Sequence, residues 1–191
     1  MKKFHVTFAA AAAAILSACS SGPTDFVRDY DAALAARPGV VLRDNAAGRE
    51  AAKGFAALFG DLSADNVKAR AREVYAADAW FNDTIATKSG IDAIERYLLK
   101  TAAGSEKVRA EVKDVAVSGS DCYVRWTMEV RSKGLSGGRP ITTAGMSHLR
   151  FDREGKILLH QAFWDAAAGI YQQLPVLGPA IRYVDGLIAG Q

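Results

Sequence analysis

Three polar side chains sit in apolar, strand-forming surroundings and could move a proton: Asp83, Ser147 and His160. His160 alternates with Leu158, Ala162 and Trp164, so it shares their face of a strand, while Ser147 and His148 point to opposite faces. A neutral imidazole with an ordinary pKa near 6.5 can relay a proton to or from Asp83. A lone histidine on an apolar strand is also a common hydrogen-bonded core residue. Asp83 has two readings as well, since Asn82-Asp83-Thr84 is good turn chemistry and such aspartates bond nearby backbone N–H groups. Other chemistries lack their residues. Two separated histidines and one aspartate do not have metal-site spacing, and no glycine-rich phosphate loop or nucleophile elbow is present. Cys122 has no partner that would activate a thiolate and reads as a small apolar filler.

The elements that must position these residues centre on residues 108–164. Turn clusters at 118–121, 134–140 and 152–155 cut this stretch into four antiparallel strands. In the second of them Val124, Trp126, Met128 and Val130 face the core or a pocket, and Tyr123, Arg125, Thr127, Glu129 and Arg131 face away. Upstream, helical spacing predicts a helix over 46–59 ending at Gly60. A second after Ser63 carries Val67, Ala71, Val74 and Tyr75, and a third covers 91–101. Residues 79–83 read as a strand and 84–88 as a connection or second strand. Asp165 is placed to cap a last helix, which Leu174-Pro175 and Gly178-Pro179 interrupt before it resumes over 181–188. This is an α+β plan, with helices covering one face of a sheet.

The chain has 191 residues, half of them apolar, which suits one domain with appendages. Without Lys2 and Lys3 its 24 basic residues fall to 22 against 21 acidic ones, and they form no stripe that would favour nucleic acid. Residues 1–18 have the charged start and short apolar run of a secretory leader, too short to span a bilayer. Leu16-Ser17-Ala18-Cys19 resembles the bacterial lipoprotein box, which implies that Cys19 is lipidated and becomes the mature N-terminus. Ser20 after it is similar to outer-membrane sorting signals. The expected organisation is thus a signal peptide (1–18), a lipidated tether with a short helix capped by Thr24 (19–45) and a folded domain with a helical tail (46–191). The localisation would be the cell envelope, lipid-anchored and facing the periplasm.

Residues 75–83 with Gly90-Ile91-Asp92-Ala93-Ile94, then 147–152 with Gly155-Lys156-Ile157, then 160–165, resemble the nuclear transport factor 2-like superfamily. They are most similar to its SnoaL-like branch, which includes polyketide cyclases and is related to ketosteroid isomerases. The resemblance implies a cone, with a curved antiparallel sheet wrapped around N-terminal helices, an apolar pocket and often a homodimer. It aligns Asp83 with the isomerase carboxylate that removes a proton beside a carbonyl, and Ser147 with an acid that hydrogen-bonds the developing oxyanion. Two departures stand against literal transfer. No tyrosine lies in residues 51–59, where a second oxyanion donor is expected, and Ala162 takes the place of the cyclase acid. The expected ligand is a small hydrophobic molecule lined by Tyr75, Trp80, Tyr97, Trp126, Met128 and Trp164, with no cofactor and no metal. Asp83, His160 and Ser147 are the candidate catalytic groups. The competing expectation is a non-catalytic envelope module that binds a protein through its surface.

Overall fold

The computed structural model describes residues 25–190, so the leader, Cys19 and Thr24 lie outside the described residues. The chain divides into two units, Met1–Ala35 and Ala36–Gln191. In the first, helix α1 (Phe26–Ala36) is capped by Asp25, whose carboxylate accepts from the Arg28 N–H at 3.1 Å. Phe26 and Tyr30 stack one turn apart, with ring centroids 5.7 Å apart.

The second unit includes residues upstream of 46. Val40 N–H donates to the Phe151 carbonyl and Leu42 N–H to that of Gly119, both at 2.9 Å, so residues 40–42 are fastened to the sheet rather than loose. The predicted helix over 46–59 forms as two pieces, α2 (Asn45–Ala51) and α3 (Lys53–Phe59). They meet at Ala52, where ψ is −1°. Asp44 caps α2 through the Ala47 N–H at 2.8 Å. The Asn45 side chain accepts from Val117 N–H at 2.9 Å, which ties the helix start to a strand. After Gly60 the Asn66 amide donates to the carbonyls of Ala57, Leu58 and Asp61, taking up groups that a helix end leaves open.

Helix α4 (Ala64–Val74), capped by Ser63, ends one residue before the apolar stripe predicts. Tyr75 is extended (φ −105°, ψ 141°) and opens strand β1 (Tyr75–Asn82), because there it pairs with Ile157 and buries its ring. Strand β2 (Thr87–Ser89) and helix α5 (Ile91–Ala103) follow, separated by Gly90 at φ +80°, a backbone that suits glycine. The meander forms as β3 (Lys107–Ser118), β4 (Asp121–Arg131), β5 (Ile141–Phe151) and β6 (Ile157–Trp164). At the end, α6 (Ala166–Gly169) is capped by Asp165, and α7 (Leu177–Ala189) closes the described chain. Gly178-Pro179 begins α7 instead of breaking it, since proline is tolerated in a first helical turn.

The six strands lie in the order β2-β1-β6-β5-β4-β3. Every pairing is antiparallel except β1 with β6, which is parallel. Register shifts at Val112/Asp114 and Arg150/Phe151 bend the long strands, and the sheet curves without closing. Phe55, Leu58, Val67, Ile94 and Leu98 from the helices meet Val115, Val124, Leu149 and Ile157 from the strands in one buried core. This is the α+β plan read from the sequence pattern and the cone that the family resemblance implied, with the concave sheet face turned to the helices.

Candidate functional site

At one end of that concave face the core is hollow. A cavity of about 250 Å³ opens between strands β1, β3, β4, β5 and β6 and helices α3 and α5. Small residues on neighbouring strands make the room: Ser147 pairs with Ala162, and Gly145 lies between Trp126 and Trp164. The walls are mostly apolar and aromatic, and Asp83 is the one charged side chain among the described residues that line them. Asp83, Ser147 and His160 all face the cavity, as do Tyr97, Trp126, Met128 and Trp164. Trp80 and Tyr75 do not, contrary to the expectation that they would. Trp80 alternates with Phe81, and it is Phe81 that points inward. Tyr75 lies behind His160, fully enclosed.

Asp83 stands where β1 ends. One carboxylate oxygen accepts from the Ile85 and Ala86 N–H groups at 3.0 and 2.9 Å, a turn closed by the side chain. The other accepts from the Tyr97 hydroxyl at 2.5 Å. The turn and cavity readings of Asp83 are therefore both realised. Burial and the Asp83 charge hold the Tyr97 phenol well above its ordinary pKa, so it remains a donor. The Trp164 indole N–H donates to the Asp83 carbonyl at 2.7 Å, and the Thr84 hydroxyl to that of Ala162 at 2.9 Å. These bonds hold Thr84 at φ +79°, a conformation strained for a β-branched residue.

His160 belongs to a second cluster. Its Nδ1 lies 2.7 Å from the Tyr75 hydroxyl and its Nε2 lies 2.9 Å from Ser147 Oγ, which also accepts from the Trp126 indole N–H at 3.0 Å. The Phe55, Phe59 and Phe81 rings surround the imidazole with centroids 5.0–5.5 Å away. Burial depresses its pKa to about 3, so it is neutral at physiological pH. No hydrogen bond joins His160 to Asp83, and the direct relay expected between them is not formed. His148 points away from the cavity, as alternation requires, and its Nε2 contacts Asp121 at 2.7 Å. Cys122 is buried, with its thiol pushed up to about 11 by desolvation, which suits a core filler. Among the described residues, no group of three or more His, Cys, Asp and Glu is placed to hold a metal ion.

Several lining residues had no prior signal of their own. Phe55, Phe59 and Phe81 read as ordinary core, although the alternation of β1 separates Phe81 from Trp80. Leu135 and Ile170 come from irregular segments without periodicity. Tyr97 was legible as lining but not as the partner of Asp83, because that contact joins a turn to the middle of a helix.

A family defined by its SnoaL-like domain matches residues 55–160, more than half of the chain. The chain belongs to the SnoaL-like domain family. Solved structures share the fold of this SnoaL-like domain at low identity. A hypothetical protein of ketosteroid isomerase-like fold from Catenulispora acidiphila, in complex with trimethylamine, is 20% identical with a TM-score of 0.57. That match covers 68% of this chain and 95% of that one. A putative SnoaL-like polyketide cyclase from Jannaschia is 16% identical (TM-score 0.53; 63% and 88% covered). An epoxide hydrolase of the LEH-like type from M. tuberculosis is 12% identical (TM-score 0.53; 75% and 98% covered). No curated protein matches the chain.

Proposed function

We propose that this is a lipid-anchored envelope protein whose SnoaL-like domain binds a small, mostly apolar molecule, and that Asp83 removes a proton from a carbon beside the ligand's carbonyl. The observation that carries the reading is an apolar cavity with a single carboxylate on its wall, aimed by three donors before any ligand arrives. Such preset geometry is what general-base catalysis requires. With no lysine or arginine among the described residues of the lining, anionic ligands gain nothing from entering a low-dielectric cavity beside Asp83, which favours uncharged ones. The names of structural relatives, a polyketide cyclase and an epoxide hydrolase among them, fit small organic substrates. His160 remains neutral in this scheme and does not act as the base.

The test is deuterium exchange at the carbon beside the carbonyl of 1-tetralone, a compact bicyclic ketone, followed by NMR in D₂O. The wild type accelerates exchange, and Asp83→Asn lowers the acceleration by about 10²-fold or more while binding is retained. Ala162→Phe, which fills the cavity, abolishes both. If the ketone binds but the wild type does not accelerate exchange, the domain is a binding module and the proton-transfer step is wrong.

A further inference from the structure

Asp83 carries a charge that the fold leaves without a counter-charge. Among the described residues it makes no ion pair. Its carboxylate accepts from three neutral donors, the Ile85 and Ala86 N–H groups and the Tyr97 hydroxyl, which hold it without cancelling its charge. An ionised carboxylate has about four acceptor sites, so one remains, on the oxygen that Tyr97 bonds. Lys88 is engaged elsewhere: its Nζ lies 5.5 Å from the centre of the Tyr97 ring, and it does not line the cavity.

Aromatic rings gather at the same corner. Tyr97 bonds the Asp83 carboxylate, and the Trp164 indole N–H bonds the Asp83 carbonyl. The Phe81 ring centroid is 5.7 Å from that of Tyr97, and all three residues line the cavity. The faces of such rings attract cations. A carboxylate without a counter-ion, set among aromatic rings, therefore suits an ammonium ion better than an uncharged group. Moving a cation out of water is costly, and a buried pair gains only when both charges keep their hydrogen bonds. Here three donors already hold the carboxylate, so a ligand supplies the one missing partner while its apolar body fills the rest of the cavity.

We infer that the Asp83 corner binds protonated amines with apolar bodies, the ammonium N–H pairing with the carboxylate between the rings of Phe81, Tyr97 and Trp164. This rests on the cavity being a ligand site, but not on Asp83 acting as a base. An ammonium ion in this place covers the carboxylate and blocks the proposed proton transfer.

Calorimetry on the full-length protein at pH 7 tests it with two probes. One is 1-aminotetralin, which is protonated there, and the other is 1-methyltetralin, which has a methyl group in place of the ammonium. The wild type should bind the amine at least tenfold more tightly, and Asp83→Asn, which removes the charge and keeps the shape, should cut that ratio at least tenfold. An amine bound no better than the hydrocarbon by the wild type overturns the inference, whether or not the variant folds. A ratio that Asp83→Asn leaves unchanged overturns it too. The amine should also compete with 1-tetralone in the deuterium-exchange assay. If 1-tetralone is exchanged and the amine does not compete, the cation site is wrong and the proton-transfer reading stands. If the amine binds with the expected ratio while the wild type accelerates no exchange, the proton-transfer reading fails alone.

Discussion

His160 shows what burying a titratable group does to stability. Its folded pKa of about 3 lies below the ordinary 6.5 because the surrounding aromatic rings deny the imidazolium any solvation. Between those two values the unfolded chain binds a proton that the folded chain refuses. Acid therefore pulls the equilibrium toward unfolding, and this source of stability is complete above about pH 6.5 and lost as pH falls toward 3. The effect is on the order of a few kcal/mol. A His160→Gln variant, which keeps a polar group without the charge change, should lose less melting temperature between pH 7 and pH 4 than the wild type does. An identical acid dependence would show that His160 is solvated. The face occupied by His160 was readable from strand alternation alone, whereas its partner was not. Tyr75 reaches it only because β1 lies beside β6, and local spacing does not encode a pairing between residues so far apart in the chain.

Among the elements, β5 determines whether there is a cavity at all. Gly145 lies across from Trp126 on one side and Trp164 on the other, and a Cβ there would sit 2.6 Å from Trp126 Cζ2 and 2.8 Å from the Phe163 carbonyl oxygen. Gly145→Ala must push the Trp126 ring aside, costing about 1–3 kcal/mol and weakening the indole bond to Ser147. Denaturant unfolding measures the first effect and a changed tryptophan emission the second; wild-type values for both would mean that the wall is soft. The four meander strands and the third helix were legible because turn residues and apolar periods punctuate them clearly. The break at Ala52 and the start of β1 at Tyr75 were not, since both follow from tertiary packing that overrides a continuous helical stripe. The Asp165 cap, by contrast, is a local hydrogen bond to Ala168 N–H at 2.9 Å, and local chemistry sufficed to anticipate it.

For the whole molecule, among the described residues no helix is long and apolar enough to cross a membrane, so the proposed attachment rests on Cys19. Cys19→Ser should abolish acylation and move the protein from the membrane fraction to the soluble fraction, read by metabolic labelling with a palmitate analogue and by fractionation. Continued membrane retention without label would refute that anchor. The order of strands in space also bears on how the protein reaches its working form. β6, the last strand, inserts between β1 and β5, and Gln161 bonds to Asn82, 79 positions earlier. A chain stopped before residue 157 thus lacks the strand beside which β1 lies and the Trp164 N–H that bonds the Asp83 carbonyl. Closure of so long a loop is slow. The sheet is therefore continuous from β2 to β3 only once its last-made strand is in place at its centre.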